Sequence, residues 1–486
     1  MKPIRGPRSP AALAAITLAA FAPLTQAQAC AEPAPSAAID TALVPVVSFE
    51  GEEGSRLTLE ERRDQLGVPA ASVAVLRDGE IAWARAYGEG VDEETLFQMA
   101  SLSKPVAAAG ILTLAFERGV GLDQDLSDEL PGLDRQRLNP DGLPITLRGL
   151  LSHTNGTTVS GFPGYPMDKR VPTTKQIIEG SGPANSKPVV VEPNPEGERR
   201  YSGGGYTVAQ WWAEQASGED FPSLMRRLVL DPLGMERSTF ATAPAPDFAR
   251  DNVARGYLAT GEMIAGGWRL HPEHAAASLW STPREYLLFV RALMRALDGD
   301  EDVGIAPAVA AAMTTPIASA YGLGIGVADI KGAIRLSHSG SNIGYKSNFM
   351  AYPDGQNAVI SVTNSERGWP MVGDIGRTAN TVYDWPRSDP IERTRMRASD
   401  EDAQALLGDY AREGSESVAF TLTAELPILV GTAPSGYRFE LVKTGKDTFI
   451  DPQDGEEGTF IADGSGGWRI TFGDTIYVKA SEEASP

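Results

Sequence analysis

Apolar-rich runs from Ala71 to Leu76 and from Ile81 to Tyr87 flank Asp78-Gly79. Asp-Gly between such runs is a strong hairpin signal, so the chain is expected to open its first folded unit with two antiparallel strands. A short helix over Leu57 to Gln65 precedes them. The nearly all-hydrophobic stretch from Val106 to Phe116 lies inside a helix predicted over Ser101 to Arg118. Pro105 stands about one turn from its start, where proline is tolerated, and Gly119 ends it. Further helices are expected at Leu147 to Leu151, Thr207 to Gln215, Phe221 to Val229, Pro283 to Leu297 and Val372 to Tyr383, while residues 155–200 show no clear period. Strands return at Leu336 to Ser339 and Lys346 to Tyr352, and a turn at Pro353-Asp354-Gly355 leads to Ala358 to Thr363. Strands at both ends of a helical block predict an α+β fold, with one antiparallel sheet assembled from both ends of the domain and flanked by helices.

The pattern changes after about residue 400. Val418 to Thr423, Tyr437 to Val442 and Trp468 to Val478 alternate apolar and polar residues, with Gly473-Asp474 as a turn. These runs predict a small antiparallel, barrel-like β-domain over residues 400–486, separate from a main domain over 55–390. Residues 30–54, rich in Ala and Pro at their start, are expected to be flexible. The first 29 residues look like an export signal, with Lys2, Arg5 and Arg8 ahead of the apolar run Ala11 to Leu24 and an Ala27-Gln28-Ala29 cleavage site. A periplasmic location is therefore expected, with no membrane span left after cleavage. Cys30, the single cysteine, follows the site directly. It rules out an intrachain disulfide and a cysteine metal site, and the box before it is not the leucine-led one of lipoproteins. The formal charge of −21 disfavours nucleic acid as a partner.

Three motifs carry candidate chemistry. Ser101-Leu102-Ser103-Lys104 opens the apolar helix, and residues three apart share a helix face, which sets the Ser101 hydroxyl beside the Lys104 amine. A serine hydroxyl is a weak nucleophile until a neighbour takes its proton, and a lysine out of water can do so. Ser103 points elsewhere. Tyr201-Ser202-Gly203-Gly204-Gly205-Tyr206 follows the long loop, and its glycines let backbone approach a neighbour closely. His338-Ser339-Gly340, followed by Ser341-Asn342, ends a predicted strand where a ligand could lie along the sheet edge.

In this order the three motifs resemble those of the serine β-lactamase and penicillin-binding-protein superfamily, on the branch of class C enzymes and D-alanyl-D-alanine carboxypeptidases. The resemblance covers roughly residues 55–390. Leu150 to Gly156, Pro232-Leu233-Gly234-Met235 and Tyr321-Gly322-Leu323-Gly324 also look like that family. It implies that Ser101 is acylated, that Lys104 and Tyr201 handle protons in an order left open, and that the N–H groups of Ser101 and Ser341 grip the oxyanion. It also implies that His338, with Ser339 and Gly340, stands where the family has Lys-Thr-Gly. Two departures bear on substrate: no tyrosine begins a Tyr-x-Asn, because Gly203 replaces the amide, and His338 is not a fixed cation at neutral pH. The pattern looks more like the esterase and D-amino-acid peptidase members, acting on a small-molecule or peptide-like substrate, than like an efficient β-lactamase. The alternative is a homologue that binds penicillin or cell-wall fragments without turnover.

Other motifs carry less. Lys443-Thr444-Gly445 falls in the predicted C-terminal β-domain and is not the third motif. Ser127-Asp128 runs into Glu129 and looks like an acidic surface loop. His153 is expected to be a structural hydrogen-bonder, and Pro272 spoils the spacing of His271 and His274 as metal ligands. No Gly-x-Ser-x-Gly elbow, P-loop or dinucleotide fingerprint occurs, so no cofactor is expected.

Overall fold

A computed structural model describes residues 39–52, 56–243, 252–387, 389–397, 400–425, 427–462 and 467–480. The expected export signal and Cys30 lie outside them. The centre is a six-stranded antiparallel sheet. Its strands are β1 (Ala71–Arg77), β2 (Glu80–Tyr87), β3 (Gly326–Ile330), β4 (Ala333–Asn342), β5 (Tyr345–Tyr352) and β6 (Asn357–Thr363), in the order β2-β1-β6-β5-β4-β3. The two ends of the domain meet where β1 pairs with β6, with Ala71 opposite Thr363 and Leu76 opposite Ala358.

Both faces of β1 are buried, and its side chains divide by parity. Ala71, Val73 and Val75 pack with Met371, Ile375 and Ala379 of a late helix, α4 (Trp369–Val382). Ala74 and Leu76 belong to the larger core formed with α1 (Ser103–Glu117), α2 (Gly203–Ser217) and α3 (Pro283–Leu297). The fold is thus a helix–sheet–helix sandwich of α+β type, as the strand–helix–strand order implies. Among the described residues no helix is long and apolar enough to cross a membrane.

Three differences from the sequence expectation affect the site. The helix expected from Ser101 begins as a 3₁₀ turn, Ala100–Leu102, and becomes α-helical at Ser103. The glycines 203–205 form the first turn of α2 rather than a loop before it, with the Ser202 hydroxyl capping the Gly205 N–H. Their lack of side chains is what admits this helix: a Cβ at Gly204 would meet the Thr158 carbonyl oxygen at 2.4 Å. Finally, β4 runs on through Asn342, so the His338 motif lies within a strand and not at its end. Hydrophobicity could not show this, because Ser339 to Asn342 are small or polar.

Beyond the sheet, Val47–Phe49 pairs in parallel with Ile391–Arg393. Eight antiparallel strands from Gly408–Arg412 to Thr475–Lys479 then close into a barrel, the first hydrogen-bonded to the last. Alternate residues, among them Tyr410, Phe420, Leu422, Leu441, Phe460 and Ile470, fill its interior.

Candidate active site

Ser101 sits on a strained turn. The preceding Ala100 has φ +52°, a left-handed conformation that costs a non-glycine residue about 1–2 kcal/mol. Hydrogen bonds hold the turn from several sides. The Ser103 hydroxyl donates to the Ala100 carbonyl (2.6 Å) and accepts from the Leu279 N–H (2.9 Å), and the Met99 N–H donates to the Leu279 carbonyl (2.8 Å). Ser103 is therefore a brace for the turn. Lys104 extends back along the helix face, and its Nζ donates to Ser101 Oγ at 3.0 Å and to the Ala276 carbonyl at 2.8 Å. Its side chain is 2% exposed and makes no ion pair with any described residue.

Tyr201 arrives from the other side. Lys104 Nζ lies 5.0 Å from its ring centroid, and the His153 ring lies against it at 4.4 Å. Two further left-handed residues shape this wall, His153 (φ +64°) and Val159 (φ +64°). The Ser202 N–H donates to His153 Nδ1 at 3.1 Å, and the Ser202 hydroxyl donates to the Thr158 carbonyl at 2.8 Å. His153 is thus a buried hydrogen-bonder that fixes the backbone next to Tyr201. Burial pushes its imidazole well below the usual histidine range, and the Lys104 charge adds to this.

The third wall is β4. Gly340 lies so close to the Ser101 turn that a Cβ would meet Ser347 Oγ at 2.3 Å, the Met99 carbonyl oxygen at 2.5 Å and the Ser101 N at 3.1 Å. The pairing of β3 with β4 ends at Ser337, so no strand covers the outer edge from His338 to Asn342 among the described residues. His338 is buried, with Nδ1 2.7 Å from the Ser339 carbonyl oxygen and Nε2 3.0 Å from the Tyr321 hydroxyl. A carbonyl can only accept, so Nδ1 carries the proton and Nε2 accepts from Tyr321. Burial, followed by the Lys104 charge, pushes the His338 pKa down to about 3. Ser339 and Ser341 project from the exposed side of the strand, and the Ser341 hydroxyl accepts from Lys346 Nζ at 2.9 Å.

Ser101, Lys104, Tyr201 and the His338 to Ser341 strand therefore converge on one cleft. Sequence reasoning missed the segment that ties them together, from Glu273 to Leu279. Its carbonyl groups receive Lys104 (at Ala276), Asn342 Nδ2 (at Ala277, 3.1 Å) and the Met99 N–H (at Leu279). It acts through main-chain atoms, and nothing in its side-chain pattern signals that. Arg199, stacked 4.4 Å from the Tyr321 ring, was also missed. Lys443-Thr444-Gly445 lies in the barrel, at the end of the strand Arg438–Lys443. His271 and Glu273 are buried together, Nδ1 to Oε2 at 3.8 Å, without hydrogen-bond partners. Among the described residues no group of three or more His, Cys, Asp or Glu converges as a metal site.

Comparison with known proteins bears on the fold and the family. The esterase EstB of Burkholderia gladioli is 29% identical over 210 residues, 39% of this chain and 51% of the esterase. The D-aminopeptidase of Gluconobacter oxydans is 26% identical over 190 residues, 37% of this chain and 34% of that enzyme. The matched regions thus span about half or less of these relatives. The octameric penicillin-binding protein homologue from Pyrococcus abyssi superposes with a TM-score of 0.57 at 19% identity, covering 87% of this chain and 98% of that one, which shows a shared fold. The Beta-lactamase family model matches residues 56–383, the whole of the sheet, the helices around it and all three walls of the cleft, and the chain belongs to that family.

Proposed function

We propose that this protein is a serine hydrolase that cleaves an ester or amide bond through an acyl-serine intermediate. The observation that carries this reading is the 3.0 Å contact between Lys104 Nζ and Ser101 Oγ, made by a buried lysine with no carboxylate partner. Family membership and the matches to an esterase and a D-aminopeptidase support a serine hydrolase in general.

In this mechanism Ser101 Oγ attacks the substrate carbonyl as its proton passes to Lys104 or Tyr201. The N–H groups of Ser101 and Ser341 hold the tetrahedral oxyanion, each worth about 3 kcal/mol where such donors have been removed. The leaving alcohol or amine takes the proton back, and a water activated by the same pair releases the acid and restores Ser101. The strained Ala100 turn and the close Gly340 contact support this assignment, because they fix the nucleophile against β4. The substrate is a small ester or a D-amino-acid amide or peptide, met in the periplasm.

Ser101→Ala is expected to lower p-nitrophenyl ester hydrolysis by roughly 10⁴-fold or more with the fold retained. Turnover preserved in that variant would remove Ser101 from the chemistry. One observation favours a second reading, binding without turnover: Gly203, where a Cβ would meet the Phe162 ring at 3.0 Å, leaves the Tyr201 motif without a side-chain amide. A penicillin adduct on Ser101 that persists, together with no ester turnover, would select it.

A further inference from the structure

The barrel holds an aromatic cavity edged by carboxylates. Phe420 lies 5.2 Å from both Phe439 and Tyr477, and Phe472 closes the circle at 6.2 Å from Phe439 and 6.1 Å from Tyr477. The four rings come from four strands, Val418–Glu425, Arg438–Lys443, Trp468–Phe472 and Thr475–Lys479. Glycines in the facing strands make room for two of them. A Cβ at Gly431 would meet Phe439 Cζ at 2.0 Å, and one at Gly458 would meet Phe472 Cε1 at 2.8 Å. Together with Tyr437 the rings line a cavity of about 170 Å³.

Asp451, Asp454 and Glu456 line the same cavity, and no lysine, arginine or histidine does. Asp451 is 4% exposed. One of its oxygens accepts the Gln453 N–H at 2.8 Å, and the other has no hydrogen-bond partner among the described residues. None of the three carboxylates pairs with a described cation, whereas Glu413, Glu425 and Glu457 elsewhere on the barrel pair with Arg469, Arg438 and Arg393. Burial first, then the Asp454 charge, raises the Asp451 carboxyl to about 8; Arg62, itself paired with Asp374 at 2.8 Å, offsets this least. Burial, followed by Asp451 and Asp454, raises the Tyr437 phenol to about 12. A buried carboxylate is costly until a cation completes it.

Aromatic faces attract cations, most strongly where water is excluded. A ring-lined wall with carboxylates beside it therefore matches a cation that has an apolar body. A metal ion fits poorly, because it asks for oxygen ligands on all sides, and no described group of His, Cys, Asp or Glu converges as a metal site. We infer that the barrel cavity is a binding site for a small organic ammonium ion, with its alkyl groups against the rings and its charge beside Asp451, Asp454 and Glu456. The site contains none of the residues of the Ser101 cleft and is independent of the hydrolase reading.

Choline and its neutral carbon isostere 3,3-dimethylbutanol differ only in charge, and calorimetry on the full-length protein at constant ionic strength compares them. Choline is expected to bind more tightly by roughly tenfold to hundredfold. Asp451→Asn and, separately, Tyr477→Leu should each remove most of that preference. Asp454 and Glu456 are exposed, so Asp454→Asn combined with Glu456→Gln tests the charge without disturbing the barrel interior. This double variant should weaken choline and leave the alcohol unchanged. Ser101→Ala should bind choline as the wild type does. Equal binding of the two compounds overturns the inference by making the cavity an apolar pocket only, and binding of neither overturns it outright. A choline preference that survives both Asp451→Asn and the double variant also overturns it, by placing the ammonium elsewhere. Should Asp451→Asn fail to fold, the double variant and Tyr477→Leu decide by the same criteria.

Discussion

At the scale of single residues, the buried titratable groups predict how stability varies with pH. His153, His271, His274 and His338 are all pushed below the ordinary histidine range, by burial first in every case. Each is neutral when folded, whereas the unfolded chain takes up protons near pH 6.5, so stability is lost as pH falls below that value. Glu273 and Asp451 act in the opposite direction, since burial raises both carboxyls to about 8. Above pH 6.5 the folded protein still holds their protons while the unfolded chain has released them. Each can then reduce stability by as much as about 1.4 kcal/mol per pH unit up to pH 8. Thermal melts should therefore show a maximum near pH 6.5, and Glu273→Gln should flatten the alkaline side; an unchanged alkaline slope in that variant would contradict this. At this scale the motif residues were legible, because Ser101 and Lys104 are neighbours on one helix face and needed no tertiary information. The segment from Glu273 to Leu279 was not, since it acts through carbonyl groups that only packing brings to Lys104 and Asn342.

At the scale of elements, the site depends on how closely β4 approaches the turn of Ser101. Gly340 has ordinary backbone geometry and is required for space alone. Gly340→Ala should push the strand away from the Met99 carbonyl and lower kcat/KM by roughly 10²-fold, as a misplacement of about 1 Å does, while the protein still melts cooperatively. Full activity in that variant would show that β4 can shift at no cost. Ser103→Ala should destabilise by about 1–3 kcal/mol, because it leaves the Leu279 N–H buried and unpaired. The strands that bring both ends of the domain into one sheet could be read from the Asp78-Gly79 turn and the apolar runs beside it. The true ends of β4 and the first turn of α2 could not. A Ser-Gly-Ser-Asn strand and a Gly-Gly-Gly helix contradict local propensity, and both are held by tertiary contacts such as Ser347 to Met99 (2.8 Å) and the close packing of Gly204.

At the scale of the whole molecule, the barrel is fastened to the catalytic unit by a small apolar seam. Val47 and Phe49 pack with Val442 and Ile450 of the barrel and with Ile391. Two ion pairs flank the seam, Arg393 with Glu457 at 2.7 Å and Arg395 with Glu52 at 3.0 Å. A seam of this size predicts that Phe49→Ser separates unfolding into two thermal transitions while Ser101 chemistry persists. One cooperative transition in that variant would mean that the units are coupled elsewhere. The barrel was foreseen from alternating runs such as Val418 to Thr423. The seam was not, because it joins residues nearly four hundred positions apart.

The central claim is that Ser101 is the nucleophile of this cleft. Labelling the intact protein with a fluorophosphonate, followed by peptide mass spectrometry, tests it most directly. A single adduct is expected on the peptide carrying Ser101, lost in Ser101→Ala and slowed strongly in Lys104→Met. Ester hydrolysis accompanied by an adduct on another residue, or by labelling that survives Ser101→Ala, would contradict it.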